Sequence, residues 1–268
     1  MSPQRFADKV VLVTGAAGGL GTALCHVFAA QGARIAAMDR DRERLEALVA
    51  GLPTGALAIA GDLTDPALCE DALRQTVARF GALDVLINNA GISHRSLLAD
   101  TDPAVIRRVM EVNFFGTLQM THAALPHLVD TRGVVAAISS VAGFAPLLGR
   151  TGYSASKHAL HGFFDTLRTE VEDQGVGVTL ICPSFIATGI GGAALGGQGG
   201  SAAAARITAG GESRPEDIAR RIVEAIAHRR SLLLPDSTSR LAWWVRKLAP
   251  GFYAGTMKRR VRAEFQIR

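Results

Sequence analysis

The stretch Val10–Gly21, VVLVTGAAGGLG, decides the fold of this chain. Its apolar run, closed by a threonine and a glycine, predicts a buried strand over Val10–Gly15. Gly15, Gly19 and Gly21 follow in the order G-x-x-x-G-x-G, just ahead of a helical segment predicted over Leu20–Gln31. Glycines so placed let the backbone turn sharply and approach a pyrophosphate, whose charge then meets the N–H groups and dipole of the helix N-terminus. A glycine-rich turn alone is a weak signal; on the loop after the first strand of a βαβ unit it is a stronger one.

Outward from that stretch the same alternation recurs. Further strands are predicted over Ala33–Asp39, Ala56–Asp62, Leu83–Gly91, Gly133–Ser140 and Gly177–Pro183, with a short edge strand over Ser231–Pro235. Helical segments such as Asp41–Val49, Pro66–Phe80 and Tyr153–Asp173 separate them. Strand alternating with helix predicts right-handed βαβ units and an α/β fold, a doubly wound parallel sheet of the Rossmann type, in one domain over residues 1–239. The segment Gly189–Gly211, GIGGAALGGQGGSAAAARITAGG, breaks the pattern and predicts a mobile loop over residues 189–213, placed to act as a substrate lid.

Hydrophobic residues make up 48% of the chain and aromatics 6%, which suits an interior of Val, Ile, Leu and Ala. The sequence pI is near 9.6, but the positive charge is concentrated. From Arg240 to Arg268 eight Lys or Arg stand against one Glu, a formal +7 against +5 for the whole chain, so residues 1–239 carry −2. A body without excess positive charge argues against a nucleic-acid groove. Cys25, Cys69 and Cys182 are scattered and odd in number, which reads as free thiols in a reducing cytoplasm. The N-terminus lacks the pattern of a signal peptide, and no run reaches the length of a membrane span. A cytoplasmic protein is expected.

Tyr153 and Lys157 lie in YSASK. On a helix this spacing puts phenol and ammonium on one face. A phenol ordinarily titrates near 10, so a tyrosine working as acid/base near neutrality needs positive charge beside its phenolate, and Lys157 is placed to supply it.

Taken together, TGAAGGLG, the NNAG at Asn88–Gly91, Asn113, the ISS ending at Ser140 and YSASK resemble the short-chain dehydrogenase/reductase family in order and spacing, over about residues 6–190. The section from Ser139 to Glu170 is most similar to members acting on steroids, retinoids and other apolar alcohols or ketones. The resemblance implies an oxidoreductase with Tyr153 as acid/base and Lys157 lowering its pKa and holding the nicotinamide ribose. It implies that Ser140 bonds the substrate oxygen and that Asn113 anchors a proton-relaying water. Cofactor contacts implied in the same way are Gly15, Gly19, Leu20, Gly21, Asp62 and Leu63 at the adenine, the Asn89–Ala90–Gly91 turn, and Pro183, Ile186 and Thr188. Ser184 stands where the family usually has glycine, and would be strained if that position needs a positive φ.

Asp39, closing the second strand, can accept from the adenosine ribose hydroxyls and would repel a 2′-phosphate, so NAD is expected over NADP. Arg40 pulls toward NADP. The alternatives are an NADPH-dependent ketoreductase of an acyl or polyketide-type substrate, and a dinucleotide-binding sensor without turnover. A homodimer or homotetramer is implied, built through helices including Tyr153–Asp173.

His158 and His161 lie one turn apart without a third ligand cluster and are expected at the helix surface or in packing. Phe163 and Phe164 are expected in the core or a subunit interface, and Asp84 as a solvated strand start. In the tail, Leu241, Trp244, Val245 and Leu248 share a helical face beside Arg240, Arg246 and Lys247. Pro250 and Gly251 then break the helix, after which Met257, Val261 and Phe265 repeat amid basic residues. Residues 240–268 could lie on an anionic membrane, or cap the substrate pocket or a neighbouring subunit.

Overall fold

The first strand, β1 (Val10–Thr14), is buried along its whole length, and its side chains alternate between two cores. Val11 and Val13 face one side with Phe28 of α1 (Gly19–Ala30), while Leu12 faces the other with Met120 and Phe164. The period-two alternation of a strand thus supplies both faces of a two-sided layer from one uninterrupted apolar run. In this computed structural model residues 5–53, 55–188, 192–202 and 211–265 are described, the last six in backbone only.

The remaining strands are β2 (Arg34–Asp39), β3 (Leu57–Ala60), β4 (Val85–Asn88), β5 (Val134–Ile138), β6 (Gly177–Ile181) and β7 (Leu232–Leu233). They form one seven-stranded sheet in the order β3-β2-β1-β4-β5-β6-β7, parallel throughout. Chain order reverses between β1 and β4, and the loops leaving those strands open a crevice at the carboxyl edge.

Helices α2 (Arg42–Ala50), α3 (Pro66–Phe80), α4 (Pro103–Met110), α5 (Gly116–Thr131), α6 (Thr151–Val171) and α7 (Pro215–Ala227) complete the layers. Asp41, Asp65 and Asp102 each accept a backbone N–H of the first turn that they cap. Pro66, Pro103 and Pro215 sit at helix starts, where a missing N–H costs nothing. One core joins α1, α2 and α7 to the sheet, the other α3, α5 and α6. Beyond β7 the chain continues as α8 (Ser237–Leu248) and α9 (Pro250–Phe265). Pro250 ends the first tail helix, as expected, by starting the next.

Two details depart from the sequence reading, and the placement of Phe163 and Phe164 agrees with it. Asp84 is not solvated: its side chain is 13% exposed, takes an ion pair from Lys9 at 2.8 Å and accepts the Val10 N–H, tying the starts of β1 and β4. Phe164 is fully buried, with Phe163 edge-on to it and to Phe114, so both are accounted for by packing within the chain. Of the glycine-rich segment, residues 189–191 and 203–210 lie outside the described residues. The described portion is pinned: Leu195 N–H donates to Ser93, Arg95 N–H to Leu195, and Asp102 N–H to Gly197.

Candidate active site

Thr14, where β1 ends, organises the crevice. Its Oγ1 donates to the Ile87 carbonyl and accepts the N–H groups of Asn89 and Ala90 at 3.1 Å, while Asn89 Nδ2 donates to the carbonyls of Thr14 and Gly15 at 3.0 Å. The glycine loop and the Asn89–Ala90–Gly91 turn are therefore one hydrogen-bonded unit. Gly15 sits at φ +63°, and a Cβ there would come within 2.7 Å of Ala90 Cα. A Cβ on Gly21 would lie 2.1 Å from the Gly15 carbonyl oxygen, and one on Gly19 would meet Thr188 Cγ2 at 3.0 Å. The three glycines keep open a cradle at the start of α1, whose N-terminus has no side-chain cap and leaves its N–H groups to a ligand.

Asp39 flanks the cradle. One carboxylate oxygen accepts the Ala17 N–H at 3.0 Å and the other the Asp41 N–H, so its position is fixed by backbone on both sides. Arg40 is exposed, and its charge bears on Asp62. The Asp62 carboxyl is held below the usual range mainly by the Thr64 N–H, helped by the Thr64 hydroxyl and by Arg40 and Arg108, against the opposing effect of partial burial. Leu63 turns its side chain into the core against Gly116, and its carbonyl accepts the Cys69 thiol.

The four residues of the expected tetrad come from three elements. Asn113 lies in a single π-turn, Glu111–Phe115, between α4 and α5, a local widening of the helix of the kind found at functional sites. That turn aims its amide at the strand-end loop: Oδ1 accepts the Ile92 N–H at 2.8 Å, and Nδ2 donates to the Ile92 carbonyl and to Ser156 Oγ. Lys157 and Tyr153 share a face of α6, with Nζ 5.7 Å from the phenol ring centroid. Lys157 is buried, donates to the Ile138 carbonyl at 2.7 Å, and has its pKa pushed down to about 8 by burial. A Cβ on Gly91 would lie 3.2 Å from Asn113 Oδ1 and 3.6 Å from Lys157 Nζ, so this glycine is where Asn113 and Lys157 meet.

Ser140 caps a short turn, Val141–Gly143, that packs on α6, and its Oγ accepts the Ala142 N–H. It opens onto a cavity of about 280 Å³, lined among others by Val141, Leu147, Phe185, Leu241, Val245 and Phe252. Tyr153 is half-buried beside this site and is not itself among the lining residues. The tail helices supply one wall of the cavity. Pro183 accepts the Val141 N–H, Ile186 bridges to Ser213, and Thr188 returns over the cradle at Gly19. Ser184 does not have a positive φ, so the expected strain is absent; its N–H donates instead to Asp236 at 3.0 Å.

Several residues with a part in the site had gone unremarked in the sequence. Thr14 looked like the last residue of a strand, and Ser156 like a filler within YSASK. His94 is fully buried, accepts the Gly152 N–H at the start of α6 at 2.9 Å, and is kept neutral chiefly by burial, with the nearby Arg150 adding, at a pKa of about 4. His161 bonds Ser139 Oγ and Cys182 Sγ, and Ser139 Oγ in turn donates to the Lys157 carbonyl. His158 faces outward and bonds the Ser154 carbonyl. Only contacts across the fold mark Thr14, Ser156 and His94, whereas His158 at the helix surface and His161 in packing stand as expected.

Comparison with known proteins agrees with this geometry. Residues 9–195 match a family model described as short chain dehydrogenase. Proteins described as dehydrogenase/reductase SDR family member 7B, from Bos taurus and Mus musculus, are each 39% identical. The matches cover 96% and 98% of this chain, and 82% and 84% of theirs. A crystal structure of a short chain dehydrogenase/reductase from Burkholderia phymatum in complex with NAD superposes with a TM-score of 0.80 at 25% identity, covering 91% of this chain and 96% of that one.

Proposed function

The chain belongs to the short-chain dehydrogenase family of oxidoreductases, and from that premise we propose that it interconverts an apolar secondary alcohol and its ketone with a nicotinamide dinucleotide, Tyr153 serving as acid/base. The observation that supports the substrate class is the cavity. It starts at the Ser140 hydroxyl and runs between apolar walls from the turn after β5, the segment after β6 and the tail helices. Such a lining favours an apolar body with one oxygen held at the polar end.

The crevice suits a dinucleotide, because Gly15, Gly19 and Gly21 let the loop pack tightly against Ala90, Thr188 and its own backbone, beside an α1 N-terminus that has no side-chain cap. Those glycines and Leu20 would hold the pyrophosphate, Asp39 the adenosine ribose, and Asp62 with the Leu63 backbone the adenine. Asn89, Ala90, Gly91, Pro183, Ile186 and Thr188 would line the nicotinamide half, with Lys157 on its ribose. When bound, the nicotinamide supplies the hydride acceptor or donor. In the reduction of a ketone, Tyr153 gives its phenolic proton to the substrate oxygen as negative charge develops there, and Ser140 donates a hydrogen bond to the same oxygen. In oxidation the phenolate takes that proton back. Lys157, mostly protonated below its pKa of about 8, supplies the positive charge that favours the phenolate. Asn113, fixed by Ile92, orients the groups through which the proton reaches solvent.

NAD is the preferred cofactor in this reading, because Asp39 is anchored at the ribose position and Arg40 lies out toward Asp62. The enzyme is a homodimer or homotetramer with α6 in an interface. The test is a screen of secondary alcohols and ketones with NAD(H) and NADP(H), followed by nicotinamide absorbance, in the wild type and in Asp39→Ala. The account expects turnover of apolar substrates, higher kcat/KM with NAD, and a relative gain for NADP in the variant. No hydride transfer to or from any ketone or alcohol would leave a dinucleotide-binding sensor as the better reading.

A further inference from the structure

The tail helices present two faces, and only one is used by the pocket. Along α8, Thr238, Leu241, Ala242 and Val245 line the cavity, and Trp243 packs edge-on against Phe144 at 4.8 Å. The adjoining stripe points outward: Leu241 is 65% exposed, Trp244 59% and Leu248 79%, and across the corner Phe252 of α9 is 65% exposed. With Ala249 and Pro250, also exposed, these residues make a continuous apolar rim. Monomeric soluble proteins seldom leave large side chains clustered in this way, and such a patch marks an interaction site. Leu241 and Phe252 belong to both the rim and the cavity lining, so the mouth of the pocket opens within the patch.

Charge identifies the occupant. Between Ser237 and Arg259 there is no Asp or Glu, and Arg240, Lys247, Lys258 and Arg259 are exposed around the rim. The segment from residue 240 carries +7, while the rest of the chain is at −2. An apolar ridge ringed by cations fits an anionic lipid surface, where large side chains enter the headgroup boundary and the basic residues meet the phosphates. A second copy of this chain would bring cations against cations. Among the described residues no helix is long and apolar enough to cross a membrane, so the contact is interfacial.

We propose that the α8–α9 corner docks on anionic membranes and that the pocket takes its apolar substrate from the lipid phase through the mouth so placed. The second half of this statement rests on the reading of the cavity as the substrate site; the docking does not. The full chain is sedimented with vesicles of phosphatidylcholine, with or without phosphatidylserine, while Trp fluorescence and sedimentation velocity are recorded. Binding is expected only with phosphatidylserine, weakening with salt and accompanied by a blue shift. The pair Trp244→Asp and Leu248→Asp, which touches neither cavity nor tetrad, should lower vesicle affinity by about tenfold or more. Lys247→Glu with Lys258→Glu should do the same. Both should leave kcat/KM for a short water-soluble alcohol unchanged, while vesicles lower the apparent KM for a long-chain alcohol only in the wild type. Absence of vesicle binding, equal binding to neutral vesicles, or binding unchanged in both pairs overturns the docking. So does a lipid-free dimer that Trp244→Asp and Leu248→Asp dissociate, because the patch would then be a subunit interface. Vesicle binding without turnover of any alcohol leaves the docking standing and removes the substrate reading.

Discussion

Lys157 is the residue on which stability and chemistry conflict most directly. It is buried, and its pKa is pushed down to about 8 from 10.5 by desolvation. Below pH 8 both folded and unfolded chains hold the proton, and the folded state bears the full cost of the buried charge. Between 8 and 10.5 the unfolded chain binds more protons, so stability rises with pH across that window. A shift of this size corresponds to roughly 3 kcal/mol. Lys157→Met should therefore be more stable than wild type below pH 8 by roughly 1–3 kcal/mol, the lower figure allowing for the Ile138 carbonyl left without its donor. The advantage should close toward pH 10, while dinucleotide affinity is lost. Thermal unfolding from pH 6 to 10 checks this, and a variant less stable than wild type throughout would mean the charge is better solvated than its burial implies. Neighbouring groups do not supply the same limb: burial pushes the Cys182 thiol up to about 12 and the His161 imidazole down.

At the scale of elements, the strands of the parallel sheet and the glycine-rich turn were legible because they follow from local rules. An apolar run between turn residues makes a strand, and G-x-x-x-G-x-G ahead of a helix leaves few alternatives. The tetrad was legible only as an ordered set, since Ser140 or Asn113 alone would pass for a strand end or a helix residue. The π-turn that aims Asn113, and the clasp of Thr14 on Asn89 and Ala90, were not legible, because they depend on which strand ends the fold brings together. The same holds for Asp236, which closes a capping box with Ser239 on α8 and also accepts the Ser184 N–H from the segment after β6. One carboxylate thus ties a pocket wall to a strand end beside the candidate nicotinamide site. Asp236→Ala should cost about 1–2 kcal/mol as a lost cap and raise KM for an apolar substrate more than it lowers kcat. Asp236→Asn, which keeps one acceptor oxygen but sets an amide N–H against the other backbone N–H, should recover only part of the loss. Chemical denaturation and steady-state kinetics on the three proteins test this, and an unchanged KM in Asp236→Ala would separate α8 from the pocket.

On the scale of the whole molecule, one continuous sheet carries the crevice, and a basic two-helix tail completes the cavity that opens beside Ser140. The tail was expected either to pack on the protein or to lie on a membrane. It packs on the protein through Ala242 and Val245, while Trp244 and Leu248 turn outward. The family model ends at residue 195, so the cavity wall that the tail helices supply lies outside the matched family region. The central claim, that this arrangement moves a proton through Tyr153, is tested most directly by Tyr153→Phe. That variant deletes the hydroxyl and keeps the ring beside Lys157. With a secondary alcohol that the wild type oxidises, the account predicts kcat lower by at least about a hundredfold, in the range that general acid–base groups supply, with NADH affinity within a few-fold of wild type by fluorescence titration. Retention of more than a small fraction of wild-type turnover would contradict it.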